Sequence, residues 1–188
     1  MIKQSVKIFL LGLLVGMSFS KVRGSDIPKK NKQPNIVFFF VGDMGWLDTS
    51  VPFYKEVTAL NERYHTPNME RLAREGMKFT QAYASAVCTP SRVSLMTGVN
   101  AARHKVTNWT LIKDESPDND DEVVKSPDWN LNGLSPVPNI PHTFFHPENL
   151  PLLLSQNEYR TIHVGKAHFG ALGTPGENPL NLGFDLNI

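Results

Sequence analysis

Cys88 is the single cysteine in a chain of 188 residues, and Pro90 and Arg92 follow it at two-residue intervals. One thiol makes no internal disulfide, so Cys88 is not a structural staple. Free cysteine is most often an inert core residue, but the neighbours of Cys88 favour chemistry. They read Ala86-Val87-Cys88-Thr89-Pro90-Ser91-Arg92-Val93-Ser94-Leu95-Met96-Thr97-Gly98. A helix is expected to start around Pro90 and Ser91 and to end at Gly98, which puts Cys88 at its N-terminus. Unpaired N–H groups and the positive end of the helix dipole suit an anionic ligand there. Two further polar clusters carry chemistry, Asp43 and the pair Lys166 and His168.

The elements around these residues alternate between strand and helix. Asn35 to Val41 is a continuous apolar, β-rich run, expected as a strand buried on both faces of a parallel sheet. It ends in Gly42-Asp43-Met44-Gly45. A helix is expected from Thr66 and Pro67, an N-cap and a first-turn residue, with Met69, Leu72 and Ala73 on one face and Gly76 as its stop. Lys78 to Tyr83 reads as a short strand. Leu150 to Gln156 reads as a helix capped by Asn149, with a stripe of Leu150, Leu153 and Leu154. Thr161 to Val164 reads as a strand leading into Gly165-Lys166-Ala167-His168. The pattern is that of an α/β fold with a mainly parallel sheet flanked by helices. In such sheets ligands bind beyond the carboxyl ends of the strands, where Asp43, Lys166 and His168 fall. From Asn108 to Pro147 periodicity fails, and an acidic stretch from Asp114 to Glu122 precedes many prolines and asparagines. That segment is expected as an extended loop or flexible insertion.

Lys3 and Lys7 precede an apolar run from Ile8 to Phe19, and small or polar residues follow from Ser20 to Ser25. This is the order of a secretory signal peptide, too short to span a bilayer comfortably. Residues 1–24 are accordingly expected to be a signal peptide, 25–34 a linker and 35–188 one catalytic unit. The location expected is secreted or periplasmic, with no stable membrane span after cleavage. The formal net charge of +1 gives no reason to expect nucleic acid as a partner.

The Cys88 stretch resembles the signature of the sulfatase family, in which the cysteine of a Cys-x-Pro-x-Arg core is oxidised before folding to formylglycine. Asn35 to Trp46 resembles the opening strand and metal loop of that family, and Thr66 to Leu72 its first helix. Gly165-Lys166-Ala167-His168-Phe169-Gly170 resembles its Gly-Lys-x-His motif, with Ala167 where tryptophan is often found. The resemblance covers Asn35 to about Asp185 and implies an alkaline phosphatase-like fold, incomplete at the C-terminus because chains of this family are normally much longer.

The resemblance also implies a reaction. One hydroxyl of a hydrated aldehyde attacks sulfur and expels the alcohol; loss of the proton of the second hydroxyl ejects sulfate and restores the aldehyde. Cys88, Arg92, Lys166 and His168 would be catalytic. Arg92 would pair with the hydrated nucleophile, Lys166 would neutralise charge on the sulfate, and His168 would hold or deprotonate the diol. Asp43 and Cys88 would bind a divalent cation, commonly calcium, although Asp43 also reads as a simple helix cap. The family usually carries two consecutive aspartates after the first strand, and here the pair is Gly42-Asp43, which should weaken a calcium shell. Implied partners are a sulfated small molecule or glycan and a formylglycine-generating maturation enzyme. The expected activity is that of a sulfuric ester hydrolase, little or none of it in the 188-residue chain alone. The alternatives are a phosphonate or phosphate ester hydrolase on the same scaffold, and a non-catalytic remnant or sulfate-binding module.

Other residues read less sharply. His142 and His146 have helical metal-ligand spacing, but Pro141 and Pro147 bracket them and favour a loop. His104 either lines the pocket or caps the signature helix, and His163 reads as a packed strand residue. Trp109 and Trp129 form either a sugar platform near the mouth of the site or buried loop anchors.

Overall fold

The structure, a computed structural model, describes residues 33–188. The expected signal peptide over 1–24 and most of the linker over 25–34 lie outside the described residues. The chain divides into two units, Met1–Phe40 and Val41–Ile188. In the first, residues 33–40 form no strand, and Val37 and Phe39 are 89% and 88% exposed. The strand expected over 35–41 is therefore absent among the described residues. A strand buried on both faces needs ladder partners and helices over each face, and the strand pairings here leave 35–41 out.

The second unit is organised around the signature helix. Helix α1 spans Pro67–Glu75, α2 Cys88–Thr97, α3 Ala101–His104 and α4 Leu150–Gln156. Helix α2 begins at Cys88, slightly ahead of the expected start, with Pro90 in a first turn whose N–H groups have no intrahelical partner. It ends where Gly98 adopts the left-handed conformation at φ +68° and donates to the Ser94 carbonyl at 2.8 Å. Thr89, Arg92, Val93 and Met96 are buried at helical spacing, so one face of α2 is committed to the interior. Val93 and Met96 join Val106, Leu134, Phe169 and Leu182 in the core, with Phe144 and Phe184 packed against it. Complete burial of each such side chain is worth about 1.5–3 kcal/mol.

Strand pairing is parallel and short. β1, Leu134–Ser135, pairs with β2, Phe144–Phe145, and β3, Ile162–His163, pairs with β4, Leu186–Asn187. Backbone packs on backbone where these pieces meet the 169–176 loop. Gly133 has φ +78°, and a Cβ there would collide with the Phe169 carbonyl; a Cβ on Gly176 would collide with that of Leu134.

Several expectations about the elements need correction. Lys78 to Tyr83 forms no strand, and Phe79 and Tyr83 are exposed. Helix α1 forms as expected, but none of its residues is buried. Thr66 does not cap it: its hydroxyl meets the backbone N–H and Oγ of Ser50 instead, at 3.0 and 2.7 Å. Asn149 caps α4 as expected, accepting from Leu152 N. Residues 108–147 are not a simple insertion. They contribute Leu134 and Asn132 to the interior, and Asn132 donates to Asp114 and to the Pro141 carbonyl. Asp114, Asp120 and Asp121 spend carboxylate oxygens on turns and side chains of this same segment. Polar residues there replace periodic apolar ones as the source of order, which hides it from a hydrophobic-pattern reading.

Candidate active site

Cys88 is half-buried at the first position of α2, and no side chain caps that helix end. Lys166 follows β3 by three residues, beyond the carboxyl end of the strand, and its Nζ donates to Cys88 Sγ at 3.4 Å. The Lys166 loop is clamped to α2 by the buried Arg92, whose Nη1 donates to the Lys166 carbonyl at 2.6 Å and that of Ala167 at 3.4 Å. One guanidinium nitrogen, Nη1, reaches both successive carbonyls, and its charge strengthens these bonds. Arg92 thus places Lys166, one helical turn from the cysteine.

His168 has φ +49° and donates through Nε2 to the Thr110 carbonyl at 3.0 Å. That bond puts the proton on Nε2 and leaves Nδ1, which is buried without a hydrogen-bond partner among the described residues, as an acceptor. Burial pushes the His168 pKa below its usual value; the Thr110 bond opposes this, and the charges of Lys166 and Arg92 lower it further. A neutral ring with an open lone pair is suited to take a proton at neutral pH.

Thr110 also binds the signature helix. Its N–H donates to Thr89 Oγ1 at 3.2 Å, and both threonines are buried. The backbone of Thr110 therefore bridges the residue after Cys88 and the imidazole of His168. Sequence reasoning missed Thr110, since a backbone bridge leaves no mark on residue type. Thr89 sits inside the signature and offered the only signal.

The remaining expected residues divide clearly. Asp43 is exposed at φ +60° and heads no helix, which removes the helix-cap alternative. A Cβ on Gly42 would lie 3.8 Å from Arg92 Nη2, so the Gly42-Asp43 turn lies beside the Arg92 end of the cluster. No group of three or more His, Cys, Asp or Glu residues able to hold a metal occurs among the described residues. His104 does not line the site. It is fully buried, accepts from Val106 N at 3.0 Å through Nδ1 and meets Ser94 Oγ at 2.9 Å through Nε2, tying α3 to α2. His142 lies in a loop at φ +52°, bonded to Asp114 at 3.0 Å. His163 packs on Phe169 and Phe184 and meets Asn187 Oδ1 across the β3–β4 pair at 2.7 Å, as a strand residue should.

A cysteine at a helix N-terminus, an adjoining lysine and an oriented neutral histidine form one constellation, and its segments lie within a single family match. The family model for sulfatases matches residues 34–186. The chain belongs to the sulfatase family. Among its relatives, a sulfatase from Formosa agariphila is 30% identical over 99% of this chain and 31% of its own length. Mouse arylsulfatase G is 32% identical over 95% of this chain and 29% of its own. Rat N-acetylgalactosamine-6-sulfatase is 35% identical over 81% of this chain and 24% of its own. This sulfatase-family chain thus spans about a third or less of the length of these relatives. Family membership implies an α/β architecture, in keeping with the helices and parallel strand pairs of the second unit. No helix of the described residues is long and apolar enough to cross a membrane.

Proposed function

We propose that Cys88 is the nucleophile position of a sulfuric ester hydrolase that cleaves a sulfated carbohydrate or aryl sulfate after oxidation of Cys88 to formylglycine. The observation that carries this reading is the 3.4 Å approach of Lys166 Nζ to Cys88 Sγ at the first turn of α2. In the mature enzyme Sγ stands in for an oxygen of the hydrated aldehyde. That group supplies a hydroxyl nucleophile and a second hydroxyl whose deprotonation releases sulfate.

The other residues act around it. Lys166 holds the anionic sulfate and offsets charge that grows in the transition state. His168 accepts a proton at Nδ1 while Thr110 fixes its tautomer and orientation. Arg92 acts through Lys166 by holding the peptide that carries it.

A divalent cation fits the described residues poorly. Calcium takes about six to eight oxygen ligands, whereas the Gly42-Asp43 turn offers the single carboxylate of Asp43 and no acidic cluster surrounds it. No step is assigned to a metal here. The 188-residue chain alone is expected to hydrolyse sulfate esters at background rate. The order of residues 1–24 supports an exported, secreted or periplasmic protein whose partners are a sulfated substrate and a maturation enzyme.

Peptide mass spectrometry of Cys88, after expression with a formylglycine-generating enzyme, tests the proposal. A mass corresponding to CHO in place of CH2SH is expected. An unmodified thiol in a host that matures other sulfatases would reject it. Gly42 then favours a second reading, a sulfate-binding module without catalysis. If maturation is found, comparing aryl sulfate with aryl phosphonate turnover in the longest native chain separates sulfatase from phosphonate or phosphate ester hydrolase.

A further inference from the structure

The signature residue between Cys88 and Pro90 is Thr89, fully buried in the first turn of α2 beside the half-buried Cys88. Its Oγ1 accepts from the N–H of Thr110 at 3.2 Å and from the Thr110 hydroxyl at 3.4 Å. Both bonds reach 21 positions along the chain to a residue that is itself buried. The side chains on either side of Thr110 do not anchor it, since Trp109 and Leu111 are 44% and 51% exposed. Further along, this stretch is bonded to the loop that follows His168. Leu172 N donates to the Leu111 carbonyl and Lys113 N to that of Leu172, each at 3.0 Å. Thr89 ties the same stretch to the nucleophile helix.

The ring of His168 depends on that tie. Nδ1 is buried with no hydrogen-bond partner among the described residues, and Nε2 meets the Thr110 carbonyl at 3.0 Å. One bond therefore decides the tautomer: the nitrogen that is held donates, and the other is left as acceptor. The backbone beneath the ring is fixed separately. Arg92 grips the carbonyls of Lys166 and Ala167, and the Phe169 carbonyl accepts from Leu134 N at 2.8 Å. These bonds hold His168 at φ +49°, an uncommon angle for a residue with a side chain. Rotation of the ring is left to the Thr110 carbonyl. Without an oxygen at position 89, the buried Thr110 N–H loses its acceptor on α2, and a buried unpaired donor is costly enough to move the backbone that carries it. The carbonyl of the same residue moves with it.

We infer that Thr89 is a positioning residue for His168: through the Thr110 backbone, its hydroxyl holds the imidazole with the proton on Nε2 and the accepting lone pair on Nδ1. Thr89 acts on the reaction only through His168, so its effect on turnover rests on the hydrolase reading, whereas the state of the ring is measured without catalysis. The test is Thr89→Val, which keeps the shape of the side chain and removes its oxygen, with Thr89→Ser restoring the oxygen. Thr89→Ala is measured alongside, so that a valine methyl that disturbs folding does not decide the result. The 188-residue chain, isotope-labelled at its six histidines, reports the His168 tautomer through the nuclear magnetic resonance shifts of the two ring nitrogens, assigned by comparison with His168→Gln. Spectra are taken at about pH 8, where imidazole is neutral. Wild type and Thr89→Ser are expected to hold His168 as the Nε2–H tautomer alone, and Thr89→Val and Thr89→Ala to show both tautomers. In the longest native chain, with rates corrected for formylglycine content by peptide mass spectrometry, Thr89→Val should lower kcat on p-nitrophenyl sulfate by about 10- to 100-fold and change KM by less than about twofold. That is the pattern of a misplaced proton acceptor rather than of lost substrate binding. Thr89→Ser should recover most of the loss.

A single Nε2–H tautomer in a folded variant without the oxygen, or both tautomers already in the wild type, overturns the inference and leaves the hydrolase reading standing if the wild type turns over sulfate ester. Mixed tautomers with unchanged kcat overturn it too, because the hydroxyl then serves the fold alone. Mixed tautomers in Thr89→Val, in a protein whose wild type hydrolyses no sulfate ester, support the hold of Thr89 on His168 while the hydrolase reading fails.

Discussion

Lys166 Nζ lies 3.4 Å from Cys88 Sγ although 78 positions separate the two residues in the chain. The contact exists because Arg92, on the same helix as Cys88, grips the carbonyls of Lys166 and Ala167. Lys166, Cys88 and Arg92 thus form one unit, and each can be tested separately.

Lys166 is exposed and the hydrogen bond of its ammonium among the described residues goes to Cys88, so its removal should spare the fold. Lys166→Met is expected to change stability by no more than about 0.5 kcal/mol. In the matured, longest native chain it should lower kcat by about 10²–10³, the usual cost of losing one transition-state donor. Thermal denaturation and steady-state turnover of an aryl sulfate check the two halves. Unchanged kcat would remove Lys166 from the reaction.

Arg92 should behave in the opposite way. It is buried, and its charged N–H groups meet backbone carbonyls. Arg92→Lys loses the guanidinium nitrogen that reaches both carbonyls and is expected to cost about 1.5–3 kcal/mol. Chemical denaturation reads this directly. The same variant should loosen the Lys166 loop, visible as faster amide hydrogen exchange at residues 165–168.

Acid should destabilise the fold through His104. Burial pushes its pKa below the ordinary 6.5, with a backbone hydrogen bond at Pro90 opposing the shift. The folded ring is therefore neutral while the unfolded chain takes up a proton at 6.5 and below. Unfolding consumes protons in the window from 6.5 down to the lowered folded value, so stability falls as pH falls through that window and is flat above it. The slope is at most about 1.4 kcal/mol per pH unit for one group. His168, lowered for the same leading reason, adds in the same direction. Denaturation midpoints measured between about pH 8 and pH 5 should fall below about pH 6.5, and His104→Gln should flatten part of the slope. A midpoint that rises on acidification would contradict this assignment.

Restoring a second carboxylate should create cation dependence. Gly42 does not occupy the left-handed region, and a Cβ there meets only Arg92 Nη2, at 3.8 Å. Gly42→Asp is accordingly expected to fold. With Asp43 adjoining, it should give a calcium-dependent rise in thermal stability larger than that of the wild type. A site saturated at about a hundredfold excess over its Kd would contribute about 2.7 kcal/mol. A stability gain insensitive to chelator would mean that the introduced carboxylate pairs with Arg92 instead.

Much of this arrangement is readable from near neighbours. The Cys88-x-Pro90-x-Arg92 spacing, the stop at Gly98, the Asn149 cap and the strand around Ile162 all form close to where residue order places them. Each depends on contacts within a turn or two of helix, or on one residue's own backbone preference. Such forces act whatever the rest of the chain does. Thr66 shows the limit: a good cap by type, it found Ser50 sixteen positions away and left the helix end uncapped.

Residue order alone therefore determined which chemical groups the chain carries, a lone thiol in a sulfatase signature with a lysine, a histidine and an aspartate on other segments. Only tertiary structure decided which of them meet. It brought Lys166 to Cys88, gave Arg92 the role of a clamp, and used the Thr110 backbone to orient His168 across 58 positions. It also left Asn35 to Val41 outside any strand, despite an ideal composition. Periodicity records which face of a segment is apolar, whereas a ladder, a buried carbonyl bond or a side-chain clamp requires a partner from elsewhere in the chain, and no local pattern names that partner.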